Sequence, residues 1–221
     1  MSSELPKEPL VVAILVFDEV EVLDFTGPYE VFNVTAELQE QETGGPPPFV
    51  VYTVAESLTP IKTRGQLRVQ PNYSLETLPR QPDILIVPGG NGTRALLGKL
   101  NIITWIQEQS QRVRILASVC TGSLLLAKAG LLTGLSVTTH HTAIDSLRTL
   151  VSPYTQIVAQ RYIDQGKIIT SGGISAGIDM SLYIVRKLLG EEVLRSTTQE
   201  MEYVWTPNLS SPWQEAVLRE K

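Results

Sequence analysis

Few residues of this chain are equipped for covalent chemistry. Its 221 residues include one cysteine and two histidines. Cys120 stands in "ILASVCTGSLLLAKAG" (115–130), at the seam between an apolar run and a helix-like run. Ser118 and Gly122 flank it, giving small-x-Cys-x-Gly. That is the steric pattern of a nucleophile elbow, where a strand turns sharply into a helix and the neighbours must be small. Such a turn exposes the thiol at a sheet edge and aims a helix N-terminus at it, which predicts a lowered pKa and a raised thiolate fraction. The Thr121 amide is then placed to serve an oxyanion, with Gly90 of "VPGGN" opposite.

A thiolate needs a proton partner. His140 and His141, in "VTTHHTA", follow the elbow helix at the next strand end, which allows a Cys–His pair. They equally fit a hydrogen-bonded histidine beside an exposed one. Asp24, in "VLDFTGP", lies in the first strand-to-helix connection, as a partner or as a helix cap. Asp18, Glu19 and Glu21 nearby read as solvated. Free cysteine is also often a small buried hydrophobe, so residue types alone leave these alternatives open.

The positioning elements follow from hydrophobic periodicity. "LVVAILVFD", "FVVYTVAE", "PDILIVPGG" and "VRILASV" read as strands, three of them continuous apolar runs suited to burial on both faces of a parallel sheet. Helices are expected over "DFTGPYEVFNVTAELQE", "NIITWIQEQSQR", "TGSLLLAKAGLLTG" (closing at Gly130 or Gly134), "TAIDSLRTL" and "EEVLRSTTQEMEYV". In "SAGIDMSLYIVRKLLG", Ile178, Leu182, Val185 and Leu189 form one apolar face. "IKTRGQLRVQPNYSLETL" reads as short strands and turns, "SVTTH" as a short strand, and "TQIVAQRYIDQGKIITSGG" as two or three strands. Strands alternating with helices predict a mostly parallel sheet covered on both faces. The Asp18–Gly27 connection, "VPGGNG", "SVCTG" and "TSGGISAG" should then crowd its carboxyl edge, where such sheets bind ligands.

Composition narrows the function classes. With 43% apolar and 19% charged residues, the chain can bury a sizeable core. A net charge of −5 argues against a nucleic-acid partner, and no apolar run reaches the ~18–20 residues that span a bilayer. One cysteine cannot close an internal disulfide, and "MSSELPKEPL" lacks the pattern of a secretory signal, so a cytoplasmic location is expected. The glycines of "GGISAG" do not fit the dinucleotide fingerprint, and no P-loop or metal-ligand cluster stands out. Ile174 and "PNYS" (71–74) are expected to line a substrate pocket.

Taken in order, "VEVLDFTGPYEVF", "DILIVPGGNGT", "SVCTGSLLLAKAGLL", "VTTHHTAID" and "TSGGISAGIDMSL" resemble the DJ-1/PfpI superfamily, and most nearly its isonitrile hydratase branch. The resemblance covers about residues 10–205. It implies a flavodoxin-like three-layer α/β sandwich over 9–205 with a nucleophile elbow, a C-terminal tail over 206–221, and a homodimer. It further implies a cofactor-independent lyase, holding no metal, that hydrates small isonitriles to N-substituted formamides. By motif match Cys120 is the nucleophile, Asp24 its acidic neighbour, and Thr121 the residue whose side chain contacts that aspartate. Gly89 and Gly90 match the oxyanion region with the Thr121 amide, and His140 matches a histidine whose share in catalysis differs between branches. The peptidase branch carries histidine where this chain has Thr121, and glutamine amidotransferases carry a His-x-Glu that is lacking here. The first motif also occurs in sensor domains of AraC-type regulators, which carry a further DNA-binding region. Two other readings use the same cysteine: a glyoxalase- or deglycase-type reaction on 2-oxoaldehydes, and a non-catalytic oxidative-stress or ligand sensor.

Overall fold

The computed structural model describes Pro6, residues 8–206, Trp213, Glu215 and Ala216; the expected tail over 206–221 otherwise lies outside the described residues. In chain order the strands are β1 (Leu10–Leu15), β2 (Phe49–Ala55), β3 (Ile61–Lys62), β4 (Arg68–Val69), β5 (Tyr73–Ser74), β6 (Ile84–Val87), β7 (Ile115–Val119), β8 (Ser136–Val137), β9 (Gln156–Ile157), β10 (Tyr162–Gln165) and β11 (Ile168–Ser171). The helices are α1 (Val22–Thr43), α2 (Thr93–Leu96), α3 (Leu100–Arg112), α4 (Gly122–Lys128), α5 (Ile144–Leu150), α6 (Ala176–Leu189) and α7 (Glu191–Glu200). No described helix is long and apolar enough to cross a membrane.

The continuous apolar runs become the sheet interior. Every residue of β1, β6 and β7 is buried. The main sheet has the order β10-β11-β7-β6-β1-β2-β5, parallel except for the antiparallel β10–β11 pair. Its five main strands, β2-β1-β6-β7-β11, follow the flavodoxin-like order, in which the chain reverses direction across the sheet between β1 and β6. Helices α1, α6 and α7 pack together as one layer, while α2, α3 and α5 gather on α4 as the other. The expected hairpin is the β3–β4 pair, and the stretch around "DQGK" forms β10 and β11.

Two differences from the sequence reading have physical causes. The α6 face holds Leu182, Val185 and Leu189 as expected, yet Met180 and Ile184 are buried as well. Alpha-helical amphipathicity is blurred there because α6 is enclosed by the sheet, α1 and α7. The "PNYS" stretch forms β5, the strand at the sheet edge beside β2, away from the expected pocket.

The elbow is tight. Between β7, which ends at Val119, and α4, which begins at Gly122, only Cys120 and Thr121 turn the chain. Cys120 adopts φ 58°, left-handed backbone that costs a side-chain-bearing residue about 1–2 kcal/mol. Its amide bridges to Ser171 O (3.2 Å) and Gly172 O (3.0 Å). Its carbonyl accepts from Ser123 Oγ (3.1 Å) and Thr139 Oγ1 (3.0 Å), so both ends of the strained peptide are held. Gly122 rides directly on the end of β6: a Cβ there would penetrate Val87 O and come within 2.8 Å of Val87 C. Gly122→Ala should therefore lower the unfolding free energy by about 3 kcal/mol or more, read from urea titration. A loss below about 1 kcal/mol would show that the elbow has room to spare.

Candidate active site

Four connections meet at the carboxyl edge beside the β1–β6 reversal. Val20 and Gly90 form an isolated antiparallel bridge, and the Glu21 amide donates to Gly89 O at 2.9 Å. Asp24 lies in the first turn of α1, fully buried, and does not cap its own helix. Its Oδ2 accepts from the Gly89 amide (3.0 Å) and its Oδ1 from the Ile174 amide (2.8 Å). It also hydrogen-bonds the Cys120 side chain. One carboxylate thus joins the connections after β1, β6, β7 and β11.

Electrostatics at this pair overturn one expectation. Burial raises the Asp24 carboxyl to about 6, against the lowering effect of its bonds from Ile174, Gly89 and Cys120. Burial, followed by the negative charge of Asp24, drives the Cys120 thiol upward, although the Thr121 amide faces the sulfur and lowers it. The expected depression by a helix N-terminus does not prevail. Helix α4 spans only seven residues, and burial together with the neighbouring carboxylate outweighs its end. Both groups are thus pushed upward, so two negative charges side by side are disfavoured and the thiol and carboxyl titrate as a pair.

The other expected residues are close by, some in different roles. The Thr121 hydroxyl accepts from the Gly90 amide (3.0 Å) and contacts Thr93 Oγ1 (2.9 Å) instead of reaching Asp24. The Gly89 and Gly90 amides are consequently both engaged, one by Asp24 and one by Thr121, which leaves the Thr121 amide as the donor facing the sulfur. His140 is half-buried. Its Nδ1 accepts from the Thr142 amide (3.3 Å) and lies 2.8 Å from Thr142 Oγ1, so the neutral ring carries its proton on Nε2. Burial lowers the His140 pKa further, which keeps the ring uncharged at pH 7. Gly173 explains how ring and sulfur come together: a Cβ there would lie 2.9 Å from Cys120 Sγ and overlap His140 Cδ2.

Cys120, Thr121, Gly90, His140 and Ile174 line one pocket of about 240 Å³. Ile174 is itself in left-handed backbone (φ 57°), with its amide turned onto Asp24. Residue types alone did not single out the rest of the wall. Glu21, expected in solvent, is instead half-buried and pairs with Arg64 at 2.8 Å. Asn91, Arg94 and Thr142 complete the lining. Arg94 and Asn91 sit within "GGNGTR", directly after the glycine turn, a placement that was visible; Arg64 arrives from the β3–β4 hairpin, which no local pattern orients. Among the described residues, no three His, Cys, Asp or Glu side chains are grouped to hold a metal ion.

Comparison with known proteins agrees with this architecture. Isonitrile hydratase of Pseudomonas putida is 34% identical over 202 residues, covering 91% of this chain and 82% of that protein. Protein DJ-1alpha of Drosophila melanogaster is 28% identical over 163 residues, covering 72% and 74% of the two chains. The crystal structure of a ThiJ/PfpI family protein from Pseudomonas syringae superposes with a TM-score of 0.80 at 26% identity, covering 98% of this chain and 88% of that one. The DJ-1/PfpI family profile matches residues 11–187, and with the elbow cysteine on a flavodoxin-like sheet the chain belongs to the DJ-1/PfpI family.

Proposed function

We propose that the protein is a lyase that adds water to small isonitriles, giving N-substituted formamides, with Cys120 as nucleophile and Asp24 as its proton partner. The observation that carries this reading is the buried Cys120–Asp24 contact, in which burial raises both groups and the cysteine lines a pocket. The likeness to the P. putida isonitrile hydratase supports the choice of substrate class.

An isonitrile, R–NC, requires a nucleophile and a proton at the same terminal carbon. The thiol–carboxylate pair is suited to supply both. Asp24 takes the proton from Cys120 Sγ and delivers it to the terminal carbon as sulfur bonds there, giving the thioimidate R–N=CH–S–Cys120. Water then adds, its hydroxyl to carbon and its other hydrogen to nitrogen. The C–S bond breaks, the hydroxyl proton returns through Asp24 to sulfur, and R–NH–CHO leaves with the thiol restored. His140 is available as an Nε2–H donor to the water or the developing carbonyl oxygen, not as a base through Nδ1. A 2-oxoaldehyde reaction would develop an oxyanion at once, and the engaged Gly89 and Gly90 amides weigh against it. An oxidation sensor wants a low thiol pKa, and the raised one here weighs against that reading.

Cys120→Ala should abolish formamide formation from an alkyl isonitrile, and Asp24→Asn should reduce it at least ~100-fold, both with the fold retained by circular dichroism. Full turnover by Cys120→Ala would exclude covalent catalysis at this thiol. In the wild type, kcat/KM should rise through an apparent pKa near 6 and stay level above it, because Asp24 accepts the thiol proton only when ionised. A rise displaced to about pH 8–9 would mean that thiolate formation limits the reaction.

The same shift makes a stability prediction. The folded value of Asp24, about 6, exceeds its ordinary 3.8, so its stabilising share is complete below 3.8 and is lost as pH rises through 6. Between about pH 4 and pH 8 the unfolding free energy of Asp24→Asn should therefore gain about 2 kcal/mol on the wild type. A difference that stays flat with pH would show that Asp24 is ionised without cost.

A further inference from the structure

We propose that this pocket selects a substrate bearing a carboxylate or similar small anion, held by Arg94 with Asn91 in the same wall that Cys120 lines. The inference rests on the hydratase reading only for the identity of the reacting group; the anion preference is a property of the pocket itself.

The charge inventory of the wall carries it. Two guanidinium groups, Arg64 and Arg94, and one carboxylate, Glu21, line the pocket with Cys120. Arg64 is committed to Glu21 through a 2.8 Å ion pair, so these two cancel. Arg94 is exposed on the four-residue α2, and among the described residues its guanidinium has neither an ion pair nor a hydrogen bond. His140 contributes no charge at neutral pH, as established above. Among the described residues the pocket wall is left with one unpaired cation, on a chain whose net charge is −5. A planar guanidinium is built for two-point contact with a carboxylate. Asn91 adds side-chain donor and acceptor atoms in the same wall.

Size agrees with a small molecule. The pocket, about 240 Å³, lies below the ~300–1,000 Å³ that hold drug-sized ligands and suits a compact acid. The negative charge of Asp24 behind Cys120 disfavours an anion close to sulfur, so such a substrate has one productive orientation, with its charged end away from the thiol. A neutral alkyl isonitrile would lack that orientation.

Two independent readouts test this. The first is alkylation of Cys120 by iodoacetate against iodoacetamide, a ratio in which the thiolate fraction cancels. The wild-type ratio, relative to that of a free thiol in the same buffer, should be raised about fivefold or more, and should fall with added salt. Arg94→Gln should remove that rise, and Glu21→Gln should increase it by freeing Arg64. The second readout is turnover of isocyanoacetate against its methyl ester, where Arg94→Gln should raise KM for the acid with little change in kcat. A ratio equal to that of the free thiol and indifferent to Arg94→Gln would overturn the inference, even with both isonitriles turned over. An Arg94-dependent ratio with neither isonitrile turned over would keep the anion site and overturn the hydratase reading instead.

Discussion

A single buried carboxylate determines most of what this sheet edge can do. Asp24 is fully buried, yet both its oxygens are satisfied, one by the Gly89 amide and one by the Ile174 amide. Those bonds draw the connections after β6 and β11 onto the start of α1, and the sulfur of Cys120 completes the cluster. An unpaired carboxylate so deeply buried would be strongly unfavourable, and a protonated one would weaken the acceptor of one of its two backbone donors. The carboxyl is thereby poised to gain or lose its proton close to neutral pH.

The consequence for the thiol is the reverse of the usual activated cysteine. Many reactive thiols are made anionic by a neighbouring cation or helix end. Here the thiol is buried and its neighbour is an anion, and the short α4 does not offset the two. On the proposed mechanism the sulfur keeps its proton until a reacting partner arrives, and Asp24, the proposed base, is already in contact. Backbone strain is concentrated at the same place: Cys120 and Ile174 both hold left-handed φ values, one carrying the sulfur and the other bonding Asp24 through its amide. The clamps from Ser123 and Thr139 onto the Cys120 carbonyl keep the first of these in register.

Much of the scaffold was legible in the residues themselves. The apolar runs of β1, β6 and β7 mark strands covered on both faces, and the small residues around Cys120 announce a turn too tight for larger neighbours. Within the candidate site, Cys120 and its sheet-edge location follow from that local pattern, while the importance of Asp24 came from resemblance, since a carboxylate near a helix start fits a cap equally well. What escaped was set by long-range placement. The hydroxyl of Thr121 turns toward Gly90 and Thr93, 31 and 28 positions away, and so occupies an amide that spacing alone left free. Glu21 reads as solvated until the β3–β4 hairpin brings Arg64 across to it. The direction of the thiol shift also depends on burial and on an approach of two distant segments, neither of which is local in the chain.

The resting location of the shared proton can be measured without any substrate. The ultraviolet absorbance of a thiolate, taken as the difference between wild type and Cys120→Ser and followed from about pH 5 to about pH 10, reports ionisation of this sulfur alone. With Asp24 holding the negative charge, no thiolate signal should develop at or below pH 8, and Asp24→Asn should bring the transition to lower pH. A full thiolate signal in the wild type by pH 7 would contradict a proton resting on sulfur, and with it the assignment of Asp24 as the base.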